Sequence, residues 1–165
     1  MSRSRLALAL ASALSLAACG GMDGSDQMMD DSFEYGAADV RAVTTGDFKG
    51  TATIAGRPTT ALTLHLDQAP TSTTKAACSN RTLTHPLCIS MSSMQLVGAL
   101  STADKAFEGV AVTGTFDAYG TKLTQGTLRV VAGATTFTFP WSDGKFGAGT
   151  VTDTGGTIGD ATLGR

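Results

Sequence analysis

From Phe48 onward this chain alternates apolar and polar residues one by one, and a period of two is the signature of strands with one buried face. Phe48, Gly50, Ala52 and Ile54 fall on one side of a first run, with Lys49, Thr51 and Thr53 on the other. Ala55-Gly56-Arg57-Pro58 breaks that run, and Leu62, Leu64 and Leu66 then alternate with Thr63, His65 and Asp67. The pair reads as a hairpin. Val110, Val112 and Phe116 set against Thr113, Thr115 and Asp117 repeat the device, followed by a turn near Tyr119-Gly120 and by Leu128 and Val130 alternating with Thr127 and Arg129. Phe137, Phe139 and Trp141 form the strongest apolar stripe, with Thr136 and Thr138 behind it. Ser142-Asp143-Gly144-Lys145 supplies the next turn, and Phe146 to Val151 returns as a shorter strand.

Threonine is abundant, the chain has 20 glycines, and runs that favour helix are scarce. β-Branched side chains pack well on a pleated sheet and lose rotamer freedom in a helix. The expected fold is therefore all-β, a small antiparallel meander closed as a barrel or folded as a β-sandwich, with the barrel favoured. Between Ile89 and Leu100 the residues Met91, Met94, Leu96 and Leu100 suit either a strand or a short helix. The aromatic stripe is expected in the core, since large aromatics dominate the interiors of small domains.

The N-terminal stretch has a different build. Arg3 and Arg5 precede an Ala/Leu run from Leu6 to Leu14, which ends in Leu16-Ala17-Ala18-Cys19. The run is shorter than the roughly 20 residues of a permanent membrane span, and the positive, apolar and small-residue order is that of a secretory signal. With its final cysteine the segment resembles the signal peptides of bacterial lipoproteins. The resemblance implies cleavage before Cys19, a diacylglyceryl group on its thiol and further acylation of the new amine. More than one acyl chain anchors a protein stably, so the implied partner is the membrane, reached through an N-terminal lipid. In enteric bacteria an aspartate after the lipidated cysteine favours retention at the inner membrane. Gly20 stands there, which points to the outer membrane.

Three segments are expected: a signal peptide over 1–18, the lipidated cysteine and an acidic flexible tether over 19–41, and a β-domain over 42–165. Between Met22 and Arg41 lie Asp23, Asp26, Asp30, Asp31, Glu34 and Asp39, three methionines and no sustained apolar period, the composition of a solvated linker. The alternative is an acidic strand or short helix packed on the domain through Phe33 and Tyr35. The β-domain carries nine Lys and Arg against eight Asp and Glu, scattered singly. A nucleic-acid partner needs a clustered basic face, so none is expected.

Cys78 and Cys88 remain as a pair in an exported domain, where thiols are oxidised, and a disulfide between them is expected. A Cys2His2 metal site with His65 and His85 lacks the Cys-x-x-Cys and His-x3-His spacings that such sites use. No metal or other cofactor is expected. Asp153-Thr154-Gly155 matches the aspartic-protease tripeptide, but that chemistry needs two such aspartates; no second copy occurs and only ten residues follow. Gly155-Gly156-Thr157-Ile158-Gly159-Asp160 has a misplaced glycine for a calcium-binding β-roll and occurs once. No Gly-x-Ser-x-Gly elbow is present, and Ser79, Ser90, Ser92 and Ser93 have no recognisable base nearby in sequence. The expectation is a non-catalytic envelope lipoprotein that presents a β-domain to another envelope component. The alternative is a carrier of a small apolar ligand in a lipocalin-like barrel.

The disulfide generates the first prediction. A bridge from Cys78 to Cys88 closes a loop of about ten residues, worth roughly 2 to 3 kcal/mol in the chain-entropy account. The double variant Cys78→Ala, Cys88→Ala should lower Tm by roughly 4 to 8 °C for about 2 kcal/mol lost. Mass spectrometry of the non-reduced protein checks the bridge directly, and two free thiols after export would exclude it.

Overall fold

The computed structural model describes residues 33–70 and 91–165 and the backbone of residues 74–76. Cys19, Cys78, Cys88, His85, Ser79 and Ser90 lie outside the described residues. Among the described residues one helix, α1 (Ala37–Thr44), is followed by ten strands: β1 (Gly46–Ile54), β2 (Thr60–Gln68), β3 (Thr74–Ala76), β4 (Met91–Thr102), β5 (Val110–Tyr119), β6 (Gln125–Ala132), β7 (Thr135–Ser142), β8 (Lys145–Phe146), β9 (Gly149–Asp153) and β10 (Gly156–Gly164). Every pairing is antiparallel.

The strands close into a barrel. Around the wall the order is β2, β1, β10, β9, β7, β6, β5, β4, and β4 returns to β2 through the register Leu62 with Thr102 to Gln68 with Leu96. Eight strands form the ring, while β3 extends the start of β4 and β8 extends the end of β7. The Ile89 to Leu100 region resolves as strand, because β4 has neighbours on both sides, β5 and β2, that satisfy its backbone. Turns fit the ladders they join. Asp143 and Gly144 both take positive φ, 48° and 86°, as a two-residue hairpin between Ser142 and Lys145 requires.

The alternation sorts side chains by face. Phe48, Leu62, Leu64, Leu66, Met94, Leu96, Leu100, Phe116, Leu128, Phe137 and Phe139 point inward and are at most 1 % exposed. Surface that is inaccessible to water on so many facing side chains means the interior is filled, not hollow. Glycines make room for the rings. A Cβ on Gly126 would lie 2.5 Å from the Phe116 ring, and one on Gly149 would lie 2.5 Å from the Phe139 ring. Phe116 also packs edge-to-face on Trp141, centroids 5.9 Å apart. The aromatic stripe is core.

Two plugs finish the barrel. At one end, residues 33–44 lie across the mouth, so the boundary drawn at 41/42 from charge falls inside α1. Phe33 and Tyr35 are buried and stack edge-to-face at 5.4 Å. The Glu34 amide donates to the Thr121 carbonyl at 2.8 Å. Helix α1 begins where the Gly36 amide donates to the Asp39 carboxylate at 2.7 Å, with that acid in the first turn. Its Val40 and Thr44 are fully buried, and Thr44 Oγ1 donates to the Val40 carbonyl. Asp39 and the acids that precede the helix in sequence gave this stretch the composition of a linker, but an eight-residue helix needs only Phe33, Tyr35 and Val40 to hold it down. At the other end the β4–β5 loop folds Phe107 against Phe137, centroids 5.7 Å apart.

Strand β10 was not expected, because Gly159 interrupts the apolar face that Ala161 and Leu163 continue, and Gly156 and Gly164 stand at its ends. It closes the ring through six paired positions with β1, Lys49 with Gly164 to Ile54 with Gly159. Its glycines and those of its neighbours allow strands to approach where the sheet bends. A Cβ on Gly98 would lie 1.8 Å from the His65 carbonyl oxygen. Gly98→Ala should therefore cost at least about 1 to 3 kcal/mol, the usual range for forcing atoms into a packed site. Chemical denaturation should show a lower midpoint, and an unchanged midpoint would mean that β2 and β4 do not approach so closely.

Candidate functional site

Among the described residues, a polar constellation on the outer wall centres on His65, whose position on the polar side of β2 follows from the alternation. Opposite it on β1 stands Asp47, placed there by the antiparallel register, and two residues on stands Asp67 on the same face. The imidazole Nδ1 lies 2.6 Å from Asp47 Oδ1, and Nε2 lies 3.2 Å from Asp67 Oδ2. Half of the His65 side chain is exposed, and both carboxylates are more exposed still.

The hydrogen bond to Asp47 above all, then that to Asp67, raises the His65 pKa from its ordinary 6.5. Both ring nitrogens are engaged, so neither is free to take a proton from a substrate. A shallow groove of about 300 Å³ adjoins the imidazole, bordered by Lys49, Thr63, Ala99 and Ser101. Small side chains on β4 make it: Ala99 faces His65 across the pair, with Gly98 next in the strand. The arrangement provides two carboxylates, an imidazole, an ammonium and hydroxyls at the edge of a flat recess.

The other sequence candidates fall elsewhere. Asp153 Oδ1 accepts the Gly155 amide at 2.7 Å and shapes the β9–β10 turn, so the Asp-Thr-Gly tripeptide is a turn element. Ser93 donates to Asp117 at 2.7 Å on the outer wall. Ser92 faces inward and is fully buried beneath the N-terminal plug; burial pushes the Tyr35 phenol up, partly opposed by the Ser92 hydroxyl beside it. Among the described residues no three His, Cys, Asp or Glu side chains form a set that could hold a metal ion. Asp47 was not singled out from the sequence, although a hairpin over Phe48 to Leu66 carries the register that brings it to His65.

No protein family, curated protein or solved structure was found to match this chain, so its site is read from its own geometry.

The cluster has a pH signature. A pKa raised on folding adds stability that is complete below the unfolded value near 6.5 and is lost as pH rises through the folded value. In an NMR titration of the full-length chain, assigned with His65→Gln, His65 should titrate above 6.5. Asp47→Asn should bring it back toward 6.5, whereas Asp67→Asn should move it less. A His65 titration unaffected by Asp47→Asn would break the cluster.

Proposed function

We propose that this protein is a lipid-anchored component of the bacterial cell envelope, at the outer membrane, whose barrel presents its outer wall to another envelope component without catalysis. One observation carries the reading: the barrel interior is packed with phenylalanine and leucine side chains, which leaves the wall as the surface available to a partner. It also ranks presentation ahead of carriage of an apolar ligand within the barrel. The His65 cluster and its groove give that wall a polar recognition patch. Attachment geometry agrees with this role. A lipid on Cys19 would tether the barrel through the segment that enters at Phe33, on the end plugged by α1, so the opposite end and the wall would face away from the anchor.

Two measurements test the proposal together. Cys19→Ser should leave the protein unprocessed or soluble and abolish partitioning into detergent. A photo-cross-linking residue at Thr63 or Ala99 should capture a discrete partner in intact cells, and the yield should fall in the Cys19→Ser background. Recovery of monomer alone from both positions would overturn the presentation reading, and membrane fractionation of Cys19→Ser at the wild-type level would overturn the anchor.

A further inference from the structure

The ring of backbone pairing is incomplete at one corner. On its β9 side, β10 is paired only as far as Ala161 with Gly149, while Thr162 to Gly164 pair with β1 alone. On the facing side, β8 pairs with β7 through Trp141 with Phe146 and Ser142 with Lys145. Between these ends and the last turn of α1 lies a recess of about 380 Å³, lined by Val43, Trp141, Lys145, Phe146, Leu163 and Arg165. Gly144 and Gly164 complete its rim and, lacking side chains, leave it open.

Its floor is apolar. Trp141 and Leu163 expose only 4 % and 6 % of their surface, and Phe146 is held edge-to-face on Phe48 and Phe139, at 5.6 and 6.4 Å. Its charged side chains are both cations. Arg165 is fixed, with its guanidinium 5.2 Å from the Phe48 ring centroid and one N–H donating to the Thr45 carbonyl at 2.7 Å. Lys145 is exposed on the β7–β8 turn and has no ion pair among the described residues. Among the described residues no Asp or Glu side chain lines the recess.

We infer that this corner recess binds a small amphiphile with an anionic head, its apolar body on Trp141, Phe146 and Leu163 and its head at Lys145 and Arg165. The volume is at the lower end for ligand sites, which suits a single short chain or ring and not a diacyl lipid taken whole. A carboxylate or a phosphate head satisfies the same cations. The inference stands apart from partner presentation by the outer wall and survives its failure.

Trp141 is the only tryptophan of the chain, so its fluorescence reports on this recess alone. Full-length protein carrying Cys19→Ser is titrated with octanoate, octyl phosphate and octanol. Both anions should change the emission saturably, and octanol should bind about tenfold more weakly or worse, the factor expected for about 1.4 kcal/mol from a lost ionic contact. Lys145→Glu, at an exposed turn position, should weaken the anions by about the same factor with an unchanged circular dichroism spectrum, and Lys145→Arg should retain them. Vesicles of phosphatidylglycerol with brominated acyl chains separate the sources. Quenching of Trp141 identifies a membrane lipid head, and a response to octanoate without quenching identifies a free amphiphile. Equal binding of octanol and octanoate, indifference to Lys145→Glu, or an emission unchanged by every probe would overturn the assignment.

Discussion

The pairing of β4 with β2 is the contact on which the rest of the structure depends. Without it the eight strands of the wall would be an open sheet with a row of unpaired amides at each edge, a template for aggregation. With it, residues 62–68 and 96–102 join into one ladder, and every inward side chain acquires neighbours from across the ring. The closure is non-local, because β3 and the segment after it intervene in sequence between its two strands. Loop-closure entropy must be met before the contact gives anything back.

Packing then sets which glycines the barrel needs. Phe116 and Phe139 are too large for a ring of this size unless the facing positions are empty, and Gly126 and Gly149 are those positions. The same economy applies between strands. At Gly50, Gly98 and Gly159 the partner carbonyl oxygen sits less than 2 Å from where a Cβ would be, so backbone occupies the space of a side chain. Gly98 ties this to the outer surface, since the carbonyl it admits belongs to His65. The imidazole's place beside Asp47 thus rests on a residue that faces the other way.

Much of this was legible in the sequence, and the failures share a physical cause. Runs with a full apolar complement, such as Leu62-Leu64-Leu66 and Phe137-Phe139-Trp141, announced both their strands and their buried faces. Strand β10 did not, because glycine replaces apolar residues at positions such as Gly159 where backbones meet, and a periodicity count registers an absence there. Helix α1 was obscured by Asp39 on its solvent side and by the acids that precede it in sequence, although Phe33 and Tyr35 marked what could pack. Residues 149–153 show the opposite limit: the return after the β7–β8 turn was expected as one strand, but Gly147 and Ala148 split it into β8 and β9. A local pattern cannot show which of two neighbours a strand will leave. For the candidate site, the alternation placed His65 on the polar face, while its bond to Asp47 needed the hairpin register.

That split after Phe146 decides where chemistry can enter an otherwise closed molecule. A sealed, filled barrel offers ligands only its wall and its ends, and both ends are plugged, one by residues 33–44 and the other by Phe107. When β8 ends with β7 and β9 begins two residues later, β10 loses its partner beyond Ala161. The recess left there has Trp141 and Leu163 as its floor, each with only a few per cent of its surface exposed. Uncovered apolar surface at a strand end is a cost unless something masks it, and Arg165 masks part of it by lying on Phe48 while its N–H caps the Thr45 carbonyl. Lys145 has no corresponding anchor, so its charge is directed to solvent at the edge of an apolar floor. A cation with no ion pair among the described residues, set at the edge of an apolar recess, is satisfied by an anion that also carries apolar surface.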